Sequence, residues 1–163
     1  MDSPSLRGSA VRESGKLLER ETTGEGDMGR VLIADGDRQV LDLLKDALAQ
    51  ETYQVEWVTR GEEVLREIAG GGIDAVVTEV HLTDMPAWRL IPKVHQVAPG
   101  VPIIAITADD SWETSRRVRV EGGPVFFYGL KPLDPQEMRK VIGCAVDWRG
   151  KQQRAGIEKG RQI

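Results

Sequence analysis

Between residues 30 and 148, short continuous apolar runs alternate with stretches whose apolar residues recur every three or four positions. The first kind of segment fits a strand buried on both faces. The second fits a helix with one buried face. The runs are Arg30–Asp35, Tyr53–Val58, Ala75–Val80, Val101–Thr107 and Val125–Tyr128. The helical stretches carry Val40, Leu44, Ala47 and Leu48; Val64, Leu65 and Ile68; Leu90, Ile91, Val94 and Val97; Val118 and Val120; and Met138, Val141, Ile142, Ala145 and Val146, the last running through Trp148.

Local signals mark the joints. Asp37 is a good N-cap for the first helix. Thr59 and Glu62 have capping-box spacing before the second, and Gly70–Gly72 stops it. That glycine run follows a helix and precedes a strand, the reverse of what a phosphate loop needs. Pro86 suits the first turn of the third helix, and Pro92 is expected to shorten or kink it. Asp110 and Ser111 can cap the fourth, which is rich in arginine (Arg116, Arg117, Arg119) and thin on its apolar side. Gly122-Gly123-Pro124 breaks it. Asp134, Pro135 and Glu137 supply an N-cap, an N1 proline and a capping-box acid to the fifth.

Strand and helix thus alternate five times, which predicts an α/β fold with a parallel sheet covered on both faces. With right-handed crossovers, a doubly wound five-stranded sheet of order 2-1-3-4-5 with five helices fits the length. Three regions follow. Residues 1–28 read as a mostly disordered arm, with Val11–Arg20 able to form a transient helix. Residues 29–148 form the folded domain, and residues 149–163 form a basic, disordered tail (Arg149, Lys151, Arg154, Lys159 and Arg161 against Glu158). Met28 directly precedes the first strand, and translation from it would omit the arm.

Composition narrows the classes. The chain has 163 residues and a net charge of −4, too mild for a general nucleic-acid binder. Cys144 is the single cysteine, read as a small buried side chain of the last helix. His81 and His95 lack zinc-type spacing. No apolar run reaches membrane-spanning length, and a cytoplasmic protein is the default.

In the expected strand order the carboxyl ends of four contiguous strands present Asp35, Glu79, Thr107 and Lys131 to one crevice. Two acids, a hydroxyl and a lysine could hold a hydrated Mg²⁺ and a phosphoryl group, the acids as hard oxygen ligands and the others as phosphoryl partners. The plainer alternative is an ion pair of Lys131 with a carboxylate that ties strand ends together.

Residues 30–148 resemble the receiver domain of bacterial response regulators. The resemblance rests on Val-Leu-Ile-Ala-Asp35, on Ile-Thr107-Ala108 and on Tyr128-Gly-Leu-Lys131-Pro132. It implies that Tyr128 is an aromatic coupled to the Thr107 hydroxyl. It also implies that a partner, such as a sensor kinase, a downstream regulator or a second copy, docks on the face of helix four, strand five and helix five. The departures are specific. Glu79 stands where the family has its acceptor aspartate. Gly36 stands where a second metal-binding acid is usual, with Asp37 one residue later as a possible substitute. The Gly122–Lys131 interval is longer than usual. Glu79 reaches about 1.5 Å farther than aspartate, out of line for attack on a metal-held phosphoryl group. Loss of the acid at Gly36 weakens Mg²⁺ binding. The resemblance, so modified, implies a non-enzymatic receiver that signals by protein–protein contact without phosphorylation. The rival readings are a conventional phosphoacceptor at Glu79 or Asp84, and a small nucleotide-binding α/β enzyme. Against the enzyme, the chain has no Gly-x-Gly-x-x-Gly, Gly-x-x-x-x-Gly-Lys-Ser/Thr or Gly-x-Ser-x-Gly motif. A receiver cut from a longer regulator is compatible with the basic tail.

Overall fold

A computed structural model describes residues 11–13 and 28–161. Six parallel strands form one sheet: β1 (Val11–Glu13), β2 (Arg30–Ala34), β3 (Gln54–Val58), β4 (Ala75–Glu79), β5 (Ile103–Thr107) and β6 (Phe127–Leu130), in the order β1-β3-β2-β4-β5-β6. From Arg30 onward this is the doubly wound order expected from the alternating pattern. The helices are α1 (Arg38–Ala47), α2 (Gly61–Ala69), α3 (Ala87–Val97), α4 (Trp112–Arg117) and α5 (Pro135–Arg161); α4 continues into a π turn at Val118–Gly122.

The strands are apolar on both faces because helices cover both. Val31, Ile33, Val55, Trp57, Val77, Ile104 and Ile106 pack against Val40, Leu41 and Leu44 of α1 and Met138, Ile142 and Ala145 of α5. Leu32, Ala34, Val58, Val76, Ile103 and Ala105 pack on the other side, against α2, α3 and the turn of α4, through Val64, Ile68, Leu90, Ile91, Val94 and Val118. Two hydrophobic layers thus clamp the sheet, and the strand ends are fixed relative to one another.

Several expectations are corrected. Val11–Glu13 is a strand paired with Val55–Trp57, not the start of a helix; the rest of the Val11–Arg20 helix and most of the arm lie outside the described residues. The tail is not disordered through Arg161, because α5 continues to that residue. Lys151, Gln152, Gln153 and Arg154 are good helix formers, and extending an existing helix needs no new nucleus. The box at the start of α2 uses Glu63 rather than Glu62: Glu63 Oε1 accepts from the backbone N–H groups of Thr59 and Arg60 at 3.0 and 3.1 Å. Pro86 is the N-cap of α3, and that helix runs through Pro92 to Val97. The last strand begins at Phe127. Val118 is buried but Val120 is exposed, as is Cys144. Among the described residues, no helix is long and apolar enough to cross a membrane.

Candidate functional site

The site lies where β2, β4, β5 and β6 end. Asp35 directly follows β2, and its backbone is held from both directions. Its N–H donates to Val58 O at 3.1 Å, and its carbonyl accepts from the Trp57 indole Nε1 at 2.7 Å. Glu79 is the last residue of β4, Thr107 the last of β5, and Lys131 directly follows β6 and is joined to Pro132 by a cis peptide bond. Lys131 N donates to Thr107 O at 2.9 Å, so the lysine is tied to the β5 end by backbone as well.

The Lys131 ammonium sits between the two acids. Nζ donates to Glu79 Oε1 at 2.7 Å and to Asp35 Oδ2 at 2.9 Å. The other oxygens are also engaged: Asp35 Oδ1 accepts from Asp37 N–H at 2.8 Å, and Glu79 Oε2 from His81 N–H at 2.8 Å. All three side chains are largely withdrawn from water. Burial raises the Asp35 carboxyl above its ordinary range, and the Lys131 hydrogen bond only partly offsets this. For Lys131, burial works against the charge, but the Glu79 and Asp35 hydrogen bonds outweigh it and the net shift is upward. The cluster is therefore an ion triad of one cation and two anions.

A divalent ion, expected from the sequence to bind weakly or not at all, would have to compete with this triad for the same oxygens. Each carboxylate oxygen of Asp35 and Glu79 already accepts a hydrogen bond, and the ammonium holds the place between them. Gly36 contributes no ligand. Asp37, the possible substitute, is turned away as the N-cap of α1 and accepts from Gln39 N–H at 2.9 Å. Among the described residues, no three His, Cys, Asp or Glu side chains are grouped to hold a metal ion.

The remaining predicted residues divide. Thr107 reaches the rim, and its Oγ1 accepts from Asp109 N–H at 3.1 Å. Tyr128 packs among the apolar residues on the α3 side, and its hydroxyl is buried without a hydrogen-bond partner, so no bond joins it to Thr107. Burial accordingly raises the phenol above its usual value. Asp84 belongs to a different joint. Its carboxylate accepts from Gly61 N–H at 2.7 Å and Glu62 N–H at 3.0 Å, capping α2.

Two residues at the rim escaped the sequence reading. His81 Nε2 and Asp109 Oδ2 are 2.9 Å apart, which joins the loop after β4 to the loop after β5. Asp109 also accepts from the Thr114 hydroxyl and Ser111 N–H, and these bonds, the Thr114 one foremost, hold its carboxyl well below the usual carboxylate range. The only sequence signal is positional: each lies two residues past a polar strand end, Glu79 or Thr107.

Comparison with known proteins agrees with this architecture. The family model described as "Response regulator receiver domain" matches residues 31–143. The chain is 30% identical over 116 residues to the DNA-binding transcriptional regulator NtrC of Rhizobium meliloti, covering 71% of this chain and 24% of that protein. It is 33% identical over 109 residues to the response regulator MprA of Mycolicibacterium vanbaalenii, covering 67% of this chain and 46% of that one. It therefore spans only about a quarter to a half of the length of these relatives. Among solved structures, the CheY-like receiver domain protein of Methanospirillum hungatei superposes with a TM-score of 0.69 at 29% identity, covering 77% of this chain and 99% of that one. The sheet order, the converging strand ends and the family match over most of the folded residues lead to one assignment: the chain belongs to the response regulator receiver domain family.

Proposed function

We propose that this receiver, a domain of two-component signalling, works without phosphoryl transfer to Glu79 and without Mg²⁺, and acts as a binding module rather than an enzyme. The observation that carries the reading is the engagement of Lys131 with both Glu79 and Asp35, which leaves no free carboxylate oxygen at the acceptor position. In-line attack needs a reacting oxygen placed near 3 Å from phosphorus. Glu79 is longer than aspartate by a methylene, and its oxygens are committed to Lys131 and the His81 backbone. The triad supplies permanently the charge pairing that a phosphoryl group would otherwise bring to this rim, so the strand ends are held in one arrangement.

Signalling then passes through contact. The face of α4, β6 and α5 exposes Trp112, Val120 and Leu130 beside Arg116 and Arg119. Exposed Trp and Arg are enriched among residues that dominate interface energy. This face is the proposed docking surface for a signalling protein or a second copy, and the cytoplasm is the corresponding compartment.

The test is intact mass after incubation with acetyl phosphate and Mg²⁺, for the native chain and for Glu79→Asp. The expected result is no phosphoryl adduct on the native chain and one on the variant, whose shorter side chain retracts from Lys131. A phosphoryl adduct on native Glu79 overturns the reading.

A further inference from the structure

α4 has little of its own to hold it. It is six residues long, and of these it buries Thr114 alone. A helix this short is marginal in water unless other elements fix it. Its Arg117–Glu121 pair, at 3.0 and 3.2 Å, is of the exposed i,i+4 kind that contributes little. The next buried residue is Val118, at the start of the π turn. Tyr128, the aromatic that the resemblance coupled to Thr107, makes no hydrogen bond through its hydroxyl. The tie between α4 and the rim lies elsewhere.

His81 meets both ends of this segment. At the start, its Nε2 lies 2.9 Å from Asp109 Oδ2, the oxygen that also accepts from the Thr114 hydroxyl, while Asp109 Oδ1 accepts from Ser111 N–H at 2.9 Å. Ser111 is the N-cap of α4, and Asp109 N–H is itself bonded to Thr107 Oγ1 at 3.1 Å. A carboxylate only accepts, so His81 Nε2 is the donor. At the far end, the His81 ring stands edge-on to Trp88, with centroids 5.8 Å apart and an interplanar angle of 87°. The Arg117 guanidinium lies 4.4 Å from the centroid of the Trp88 ring, a cation–π contact, and Arg117 pairs with Glu121 of the π turn. The His81 backbone N–H donates to Glu79 Oε2 at 2.8 Å. One residue thus joins the acceptor position to the first and last turns of α4.

We propose that His81 is a positioning residue for the docking helix: through it Glu79 sets the order of α4, in place of a contact between Thr107 and Tyr128. The two-state element is α4 itself, ordered when both His81 contacts hold and frayed when they are lost. Fraying removes Trp112 and Arg116 from the surface that a partner meets. The inference deepens the reading of the α4–β6–α5 face as the docking surface and rests on it for its consequence in signalling. Its test reads the helix, not phosphorylation or partner capture, so the two fail separately.

Amide hydrogen exchange on the full chain tests it. Ser115 N–H, bonded to Ser111 O, reports the start of α4, and Val118 N–H, bonded to Thr114 O and Ser115 O, reports its end. Val77 in β4 and Ile104 in β5 report whether the domain is intact. His81→Ala is expected to speed exchange at Ser115 and Val118 about tenfold or more, with Val77 and Ile104 unchanged. His81→Gln, whose amide can donate to Asp109, should restore Ser115 but not Val118. His81→Phe, which keeps a ring edge against Trp88, should restore Val118 but not Ser115. Glu79→Ala, which frees the His81 N–H, should speed both amides in the native background and change them less than about twofold in His81→Ala. Native-like exchange at both amides in His81→Ala overturns the positioning role, and identical profiles for His81→Gln and His81→Phe overturn the separate holds at the two ends. A Glu79→Ala effect as large without His81 as with it, or none with it, overturns the route through His81. Acceleration of either amide by Tyr128→Phe overturns the replacement of the Thr107–Tyr128 contact.

Discussion

Lys131 Nζ lies 2.7 Å from Glu79 Oε1, and this contact joins the end of β6 to the end of β4 across the intervening β5. The same ammonium is 2.9 Å from Asp35, so three of the four rim strands meet at one cation. The fourth, β5, joins through the backbone bond from Lys131 to Thr107. The rim's geometry thus depends on one lysine, and the two acids share it.

That sharing predicts an asymmetry. Lys131→Met leaves two buried carboxylates facing each other with no cation, and stability is expected to fall by about 3–5 kcal/mol. Glu79→Gln leaves Lys131 matched one-to-one with Asp35 and keeps an oxygen for the His81 N–H, so the expected loss is under about 1.5 kcal/mol. Urea unfolding of both variants at neutral pH measures the difference. Equal losses would mean that Glu79 and Lys131 contribute alike and that the lysine has no special place in the triad. The upward shift of Lys131 adds a pH signature. Its stabilising contribution is complete below the unfolded lysine value of about 10.4 and is lost as pH rises through the higher folded value. The native chain should therefore lose stability above that pH more steeply than Lys131→Met.

Tyr128 supports the opposite kind of prediction. Its hydroxyl is buried and makes no hydrogen bond, while its ring packs with the core on the α3 side. Leaving such a group unsatisfied costs about 1–3 kcal/mol. Tyr128→Phe is expected to be neutral or to raise the thermal midpoint. A clear drop would show that the hydroxyl has a partner in solution.

The sequence made the strand ends legible because each is an apolar run that stops at a polar residue. The pattern alone places Asp35, Glu79, Thr107 and Lys131 on one rim. Register was less visible: Val125–Tyr128 is uniformly apolar, so periodicity could not show that pairing begins with Phe126 N–H on Ile103 O and that the strand runs to Leu130. Val118 and Val120 are two positions apart, about 200° around a helix, so they cannot share its inner face, and Val120 is exposed while Val118 is buried. Cys144 lies off the inward stripe of Met138, Ile142 and Ala145. His81 and Asp109 were invisible because each sits in a loop, and their meeting depends on how β4 and β5 align.

Gly61 begins α2 beneath the loop that follows β4. A Cβ built there would lie 2.6 Å from Met85 Cγ and 2.9 Å from its Sδ. Gly61→Ala is expected to cost about 1–3 kcal/mol through this overlap. Met85→Ala removes the obstructing atoms, so the double variant should lose less than the two single losses added together. Thermal unfolding of the four proteins gives the cycle. Strict additivity would mean that the contact is not the cause.

Asp84 closes the same joint from the other side and carries the acid-side prediction. Slight burial pushes its carboxyl up, but the Gly61 and Glu62 N–H bonds outweigh that and hold it below its ordinary value. A lowered folded value means that the unfolded chain binds the proton more readily. The capping stabilisation is therefore complete above the unfolded value of about 3.9 and is lost as pH falls through the lower folded one. Asp84→Ala removes the cap and is expected to cost about 1 kcal/mol at neutral pH. It should also flatten the fall in stability below pH 4, because the residue that titrates is gone. Unfolding curves from pH 6 down to pH 2.5 for both chains test this. Parallel curves would place the acid sensitivity elsewhere and detach Asp84 from the α2 terminus.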